Sequence, residues 1–170
     1  MPTDPKTAIQ QNREAYNARV AALQADERLS PHGREEAIQE AYEEAHRRDK
    51  ELRTEYGQQE SAELQSLRSA ALDPGYTVDR VEFRSALGIA AASGNLAELA
   101  AVATLTGDKT LAKACAAVAC ARPESSENLT MLRELAENDD ALARYLEARR
   151  PKSPTQILAE RMAMAGPRRP

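Results

Sequence analysis

The sequence has few of the residues on which metal and thiol chemistry depends. Its 170 residues include no tryptophan, one phenylalanine, two histidines and two cysteines. Cys115 and Cys120 are five positions apart in an alanine-rich run, about 140° apart around a helix, so they cannot form a disulfide with each other. With no third cysteine and no histidine nearby, the pair predicts no zinc site. We expect small core residues here, rather than reactive thiols.

Long apolar runs and the common catalytic motifs are also missing. No run approaches the 18 or so uncharged apolar residues of a membrane span, and Met1–Lys6 lacks the apolar core of a signal peptide. The sequence has no Walker loop, no G-x-G-x-x-G and no nucleophile elbow. Glu43 and His46 have the Glu-x-x-His spacing of half a di-iron site, but His32 has no matching glutamate, so a solvated His46 is expected. We predict no catalytic, metal-binding or cofactor-binding residues and a reduced, intracellular protein.

The abundant residues are the strong helix formers alanine, glutamate, leucine and arginine, whereas aromatic residues make up 4%. This composition predicts an all-α protein. The net charge of −4 argues against general nucleic-acid binding, which needs clustered cations. The charge is uneven, because Pro151–Pro170 has four basic residues and one acidic residue. The sequence therefore predicts a basic tail on an acidic body.

Residues 1–72 are predicted to form a helical hairpin or coiled-coil arm. Asp4-Pro5 starts a helix that ends near Asp26, and Ser30-Pro31 starts a second helix with no strong breaker before Asp73-Pro74-Gly75. If continuous, the second helix is about 60 Å long, so the first helix covers only its first half. The remainder must meet the C-terminal domain or another copy. The predicted self-association seam consists of Ile38, Tyr42, Ala45, Leu52, Tyr56, Leu64 and Leu67.

After a linker at 73–76, residues 77–150 are predicted to form a bundle of short alanine-rich helices. Ser93-Gly94-Asn95 and Thr106-Gly107-Asp108 are each expected to place a left-handed glycine after one helix and an N-cap before the next. A compact bundle and a short α-solenoid both fit this pattern. The predicted helices are Val78–Ala92, Leu96–Thr106, Lys109–Ala121, Glu127–Asn138 and Ala141–Arg149.

Residues 151–170 are predicted to form a basic C-terminal helix and tail. Pro151 ends the bundle, and Ser153-Pro154 is an N-cap signal for a short amphipathic helix that ends near Ala165. Such a helix can insert into a partner's groove while its arginines pair with an acidic surface, or it can fold back onto its own domain. The sequence leaves both alternatives open. The candidate docking residues are Ile157, Leu158, Arg161, Met162, Arg168 and Arg169.

One segment resembles a known group of proteins. Leu29-Ser30-Pro31-His32-Gly33-Arg34 precedes an acidic helix that contains Ala37, Ala41-Tyr42 and Ala45. Over residues 5–70 this pattern resembles small helical virion-associated or assembly proteins from phages of high-GC actinobacteria. The resemblance implies a virion-associated or assembly role and transfers no functional residues.

Two classes of function remain after these exclusions. The first is a non-enzymatic structural or assembly protein of a phage-like particle, in a virion or the host cytoplasm. Its partners would be copies of itself, as a homo-oligomer, and a phage structural protein, with no specific nucleic acid and no membrane. The alternative is a cytoplasmic helical adaptor or regulator that dimerises through the N-terminal arm. An enzyme would require a buried pair of carboxylates in a pocket.

Overall fold

The computed structural model describes residues 5–73, 79–122 and 124–167, and every regular element in these ranges is an α-helix. The all-α prediction is confirmed, as is the long helix before the short ones. The second helix runs without interruption from Pro31 to Leu72. The helices are α1 (Pro5–Ala25), α2 (Pro31–Leu72), α3 (Arg80–Ala92), α4 (Leu96–Thr106), α5 (Lys109–Ala121), α6 (Ser126–Ala136), α7 (Asp140–Arg149) and α8 (Pro154–Ala163).

The chain divides into two compact units, and α2 contributes residues to both. The arm unit consists of Met1–Ser61 and Pro151–Pro170, so α8 belongs with α1 and most of α2. The bundle unit is Ala62–Arg150 and includes the last turns of α2. Of the predicted linker, residues 74–76 lie outside the described residues.

In the arm unit, α1 and α2 pack as an antiparallel hairpin. Near one end the Asn12 amide donates to the Ala45 carbonyl at 2.9 Å, and near the other the Arg34 guanidinium donates to the Asp26 carbonyl at 3.0 Å. The turn between the helices ends where the Ser30 hydroxyl accepts a hydrogen bond from the Gly33 N–H, as expected of an N-cap. The small core of the hairpin contains Tyr16, Ala41 and Ala45, flanked by Val20, Leu23 and Tyr42.

The bundle unit is assembled around α5. Helices α3, α4 and α6 pack against α5, while α6 also contacts α4 and α7. Small side chains line the contact face of α5 and allow the neighbouring helices to approach closely. The last turn of α2 supplies Ala71 and Leu72 to the same core. The buried residues of α5 are Ala114, Cys115, Ala116 and Ala119.

The predicted corner at Gly107 is confirmed. At the first corner the predicted N-cap Asn95 is confirmed, because its side chain accepts the Glu98 N–H, but the left-handed Gly94 is wrong. Gly107 has a φ of 70°, and the Asp108 carboxylate then caps α5. At the first corner the chain leaves α3 through an extended Ser93, and among the described glycines only Gly107 has a positive φ. The Ser93 hydroxyl accepts the Asn95 N–H at 3.2 Å, so a local side-chain bond makes this turn without a left-handed Gly94.

Candidate functional site

The two thiols and the two histidines do not come together in one site. Burial raises the pKa of the Cys115 thiol, and it also raises the pKa of Cys120, against the nearby charge of Arg149. His46 is exposed and stacks on Tyr42, with ring centroids 5.7 Å apart. Among the residues the structure describes, no group of three or more potential metal ligands occurs. The arrangement favours core packing for the thiols and a solvated role for His46.

A half-open cleft of about 530 Å³ in the bundle unit brings several carboxylates together. Its lining includes Asp108, Asp139 and Asp140 together with Lys109 and Lys113, and much of the remainder is alanine. The Asp108 carboxylate accepts the Leu111 N–H at 2.9 Å, and the Asp139 carboxylate accepts two N–H groups at the start of α7. These two carboxylates therefore act as helix caps in this cleft.

The predicted self-association seam on α2 is largely covered within the chain. Ala45 and Leu52 are buried, and Ile38, Tyr42 and Tyr56 are half-buried. Leu67 packs against the core of the bundle unit, whereas Leu64 is exposed. Self-association through this seam stays a prediction that would require the arm hairpin to open.

The C-terminal helix α8 forms because its first turn is fully capped. The Ser153 hydroxyl accepts the Gln156 N–H at 3.2 Å, and the Gln156 side chain accepts the Ser153 N–H at 2.8 Å. This is a reciprocal capping box, and Pro154 occupies the first turn, where its missing N–H costs nothing. The predicted N-terminus of this helix is confirmed. The helix itself ends at Ala163, two residues before the predicted end.

A single carboxylate attaches the middle of α8 to the arm unit. Glu160, the only residue of α8 that is not exposed, accepts hydrogen bonds from Lys152 at 2.8 Å and from the Tyr56 hydroxyl at 3.0 Å. The ammonium group of Lys6 lies 3.2 Å from the same carboxylate and 5.3 Å from the centre of the Tyr56 ring. Hydrogen bonds from Lys152 and Tyr56 lower the pKa of Glu160 to about 2. Lys152 also reaches Glu60, at 2.9 Å.

The end of α8 is attached by a second polar contact. Asp49 is buried, and its carboxylate accepts a hydrogen bond from the Arg53 guanidinium at 2.6 Å. The same guanidinium donates to the carbonyl of Met164. Gly166 lies against Asp49 so closely that a Cβ atom at this glycine would be 2.8 Å from the carboxylate oxygen. The chain after α8 therefore passes directly over the Asp49–Arg53 pair.

Three apolar side chains of α8 are exposed to solvent. Leu158 and Met162 lie on the side opposite Glu160, whereas Ile157, three residues before Glu160, lies nearer to it. Ile157, Leu158 and Met162 are 40%, 58% and 68% exposed, and Arg161 beside them is also exposed. The fold-back that the sequence left open therefore occurs through polar groups, while the apolar residues predicted for docking stay uncovered. Arg168 and Arg169, also predicted for docking, lie outside the described residues.

Sequence reasoning missed the polar cluster that holds α8. Glu160 and Tyr56 are 104 positions apart, and no local pattern connects them. Lys6 and Lys152 also contact Glu160, and Glu60 contacts Lys152, but in a chain with so many charged residues no local pattern selects these pairings. One signal was available: Glu160 is the only acidic residue in the basic segment Pro151–Pro170.

Neither a membrane-spanning helix in the described part of the chain nor a known relative helps to define the site. Within the described ranges, no helix combines the length and apolar character needed to cross a membrane. Compared with known proteins, the chain matches no protein-family model, and it matches no curated protein and no solved structure at a significant level.

Proposed function

We propose that this protein is a non-enzymatic structural or assembly component of a phage-like particle and that α8 is its docking element. The supporting observation is the state of α8 in the structure. Leu158 and Met162 are exposed, and no residue of this helix is buried. A helix of ten residues is marginal in water on its own, and most helices gain their stability by packing an apolar face. A protein partner that covers this side of α8 would supply that packing.

The charge of the segment agrees with a docking role. Pro151–Pro170 has three more basic than acidic residues, since it contains four basic residues and one acidic residue, while the whole chain has a net charge of −4. Arg161 lies next to the exposed apolar side and can pair with a carboxylate of a partner. Opposite charges around an apolar contact increase the association rate and select the orientation.

The particle role is supported by the sequence resemblance of residues 5–70 to virion-associated and assembly proteins of actinobacterial phages. Expected partners are copies of this chain and a particle structural protein. The alternative is a cytoplasmic adaptor or regulator that dimerises through the arm. This alternative would use the predicted seam of α2, of which Tyr42 and Ala45 pack in the core of the arm hairpin.

Mass spectrometry of particles purified from cells that carry the gene tests this proposal. We expect the intact chain in the particle fraction after a high-salt wash, and its loss from that fraction in the variant Leu158→Asp/Met162→Asp. Leu129→Asp, at an exposed apolar position of α6, is the matched control and should stay with the particles. A chain that occurs only outside the particles would contradict the particle role and favour the adaptor.

A further inference from the structure

Exposed large apolar side chains occur in both units of the described chain. In the arm unit they lie on α8. In the bundle unit α3 and α4 carry two each, and α2 and α6 carry one each. These bundle residues are Val81 and Ile89 on α3, Val102 and Leu105 on α4, Leu64 on α2 and Leu129 on α6. Exposed apolar groups of this kind mark interaction sites more often than single scattered residues do.

Helix α4 carries Leu105, which has the highest exposed fraction among these apolar side chains. Ala100 and Ala103 are buried, whereas Val102 and Leu105, on the opposite side of the helix, are 47% and 87% exposed. Glu98 lies one turn before Val102 on that same side. We call Glu98, Val102 and Leu105 the α4 surface.

The sequence around the α4 surface is depleted of charge. Glu98 is the only charged residue in the segment 85–107, although 29% of the whole chain is charged. Depletion of charge is the compositional mark of the centre of a protein interface. Because so many of these positions are exposed, core packing does not account for the depletion.

The α4 surface and the outer side of α8 are complementary. Each presents two large apolar side chains about one turn apart, Val102 and Leu105 on α4 and Leu158 and Met162 on α8. Each also carries one charged residue, and the two charges are opposite: Glu98 on α4 and Arg161 on α8. We infer that α8 of one copy packs on the α4 surface of a second copy. The inference rests on the proposed role of α8 as a docking helix and names its partner.

The charges favour this pairing over a symmetric one. Two α4 surfaces placed face to face contribute two carboxylates and no cation, and two α8 helices contribute two guanidinium groups and no anion. The pairing of α8 with α4 brings one carboxylate and one guanidinium group together. These two groups can form an ion pair where the apolar contact excludes water. The contact joins two different surfaces, so it is heterologous and extends from copy to copy as a ring or a filament. Such head-to-tail growth suits an assembly component.

A mixing experiment with two double variants tests this inference. Leu158→Asp/Met162→Asp removes the α8 side, and Val102→Asp/Leu105→Asp removes the α4 surface. All four positions are exposed, so both variants should keep the circular dichroism of the intact chain. By light scattering, the intact chain should increase in mass with concentration, while each variant alone should remain at the single-chain mass of 18.6 kDa. An equimolar mixture should form a one-to-one complex and nothing larger, since one intact α8 meets one intact α4 surface.

Exchange of the two charges provides a second test that leaves the apolar side chains in place. Arg161→Glu should weaken association several-fold, and so should Glu98→Arg. The double variant that carries both changes should recover most of the loss. Arg144→Glu, which makes the same charge change at an exposed position of α7 outside both surfaces, is the control and should associate like the intact chain.

Other outcomes would contradict the pairing of α8 with the α4 surface, and each points to a different explanation. If Val102→Asp/Leu105→Asp assembles like the intact chain while the α8 variant does not, α8 docks elsewhere, and the proposed function survives without this partner. If the α8 variant still forms dimers, the contact is symmetric and excludes α8. If the intact chain stays at the single-chain mass at every concentration, or the mixed variants do not combine, copies do not pair in this way.

Discussion

Glu160 is the residue on which the position of α8 depends most. Its carboxylate receives hydrogen bonds from Lys152 and Tyr56 and an ion pair from Lys6, all within 3.2 Å. Partly exposed ion pairs each contribute roughly 0–1 kcal/mol, so the attachment is sensitive to the loss of any partner. A helix held in this way is weakened in its attachment by a change at the Glu160 carboxylate alone.

We expect Glu160→Gln to release α8 without unfolding either unit. The amide cannot accept strong charge-assisted bonds from two ammonium groups, so the helix should open more often. The measurement is the rate of tryptic cleavage after Lys152 and Arg161, which should rise several-fold. Glu147→Gln, which alters an exposed ion pair with Arg150 in the bundle unit, is the control and should cleave at the rate of the intact chain.

The same carboxylate predicts an acid-dependent release. The pKa of Glu160 is lowered from 4.5 to about 2 in the folded chain. A carboxyl group with a lowered folded pKa stabilises the folded state above its unfolded pKa, and this contribution is lost as the pH falls through the folded pKa. The attachment of α8 should therefore be complete above about pH 4.5 and disappear towards pH 2. The protection factors of the Ile157 and Leu158 amides, taken against the intrinsic exchange rate at each pH, should fall over that range, and Glu160→Gln should remove this pH dependence.

Thiol labelling tests the burial of the two cysteines. Cys115 is completely buried, and burial raises the pKa of both thiols, which lowers the thiolate fraction that reacts. At neutral pH we expect Cys115 to stay unlabelled until the bundle unit unfolds and Cys120 to react slowly. Rapid labelling of Cys115 in the native protein would contradict the position of α5 in the core.

At the scale of elements, the arm hairpin depends on a small core. Tyr16 is almost fully buried and meets Tyr42 edge to face, with ring centroids 6.2 Å apart. Truncation of a large buried aromatic residue costs about 3–5 kcal/mol, and a core this small cannot repack to reduce the cost. Tyr16→Ala should therefore unfold the arm at lower urea concentration than the bundle. The comparison is Leu64→Ala, an exposed position on α2, which should change stability by less than about 0.5 kcal/mol.

Most helix boundaries were predictable because they depend on neighbours in sequence. Asp108, Ser153 and the Ser30-Pro31 pair cap helices at the positions where their short polar side chains indicate a start. The turn at Gly94 was not predictable in the same way. A hydrogen bond from the Asn95 N–H to the Ser93 hydroxyl forms this turn without a left-handed glycine. Local signals therefore define the elements but do not always select the turn geometry.

The candidate site was predictable only in part. The apolar side chains of α8 repeat at helical spacing, so Leu158 and Met162 could be selected from sequence as candidate docking residues, and the structure leaves both exposed. Which side of α8 would face the arm could not, because contacts between Glu160 and Tyr56 span 104 positions. Long polar side chains in a charge-rich protein have many alternative partners, and tertiary structure alone selects among them.

At the scale of the whole molecule, the proposed assembly depends on two apolar surfaces that are exposed in the described chain. The helix α8 and the α4 surface each expose large apolar side chains in a chain that otherwise has a high proportion of charged residues. A protein that assembles through such surfaces gains stability from association, and its apparent stability depends on concentration. The thermal midpoint should therefore rise as the intact chain is concentrated and stay constant for Leu158→Asp/Met162→Asp.

The most direct test of the central claim is the solution mass of the intact chain beside that of Leu158→Asp/Met162→Asp, measured by light scattering over a concentration series. We expect the mass of the intact chain to exceed 18.6 kDa as concentration rises, also at high salt, and the mass of the variant to stay at that value. Identical mass curves for the two proteins would contradict a docking role for α8 in self-assembly.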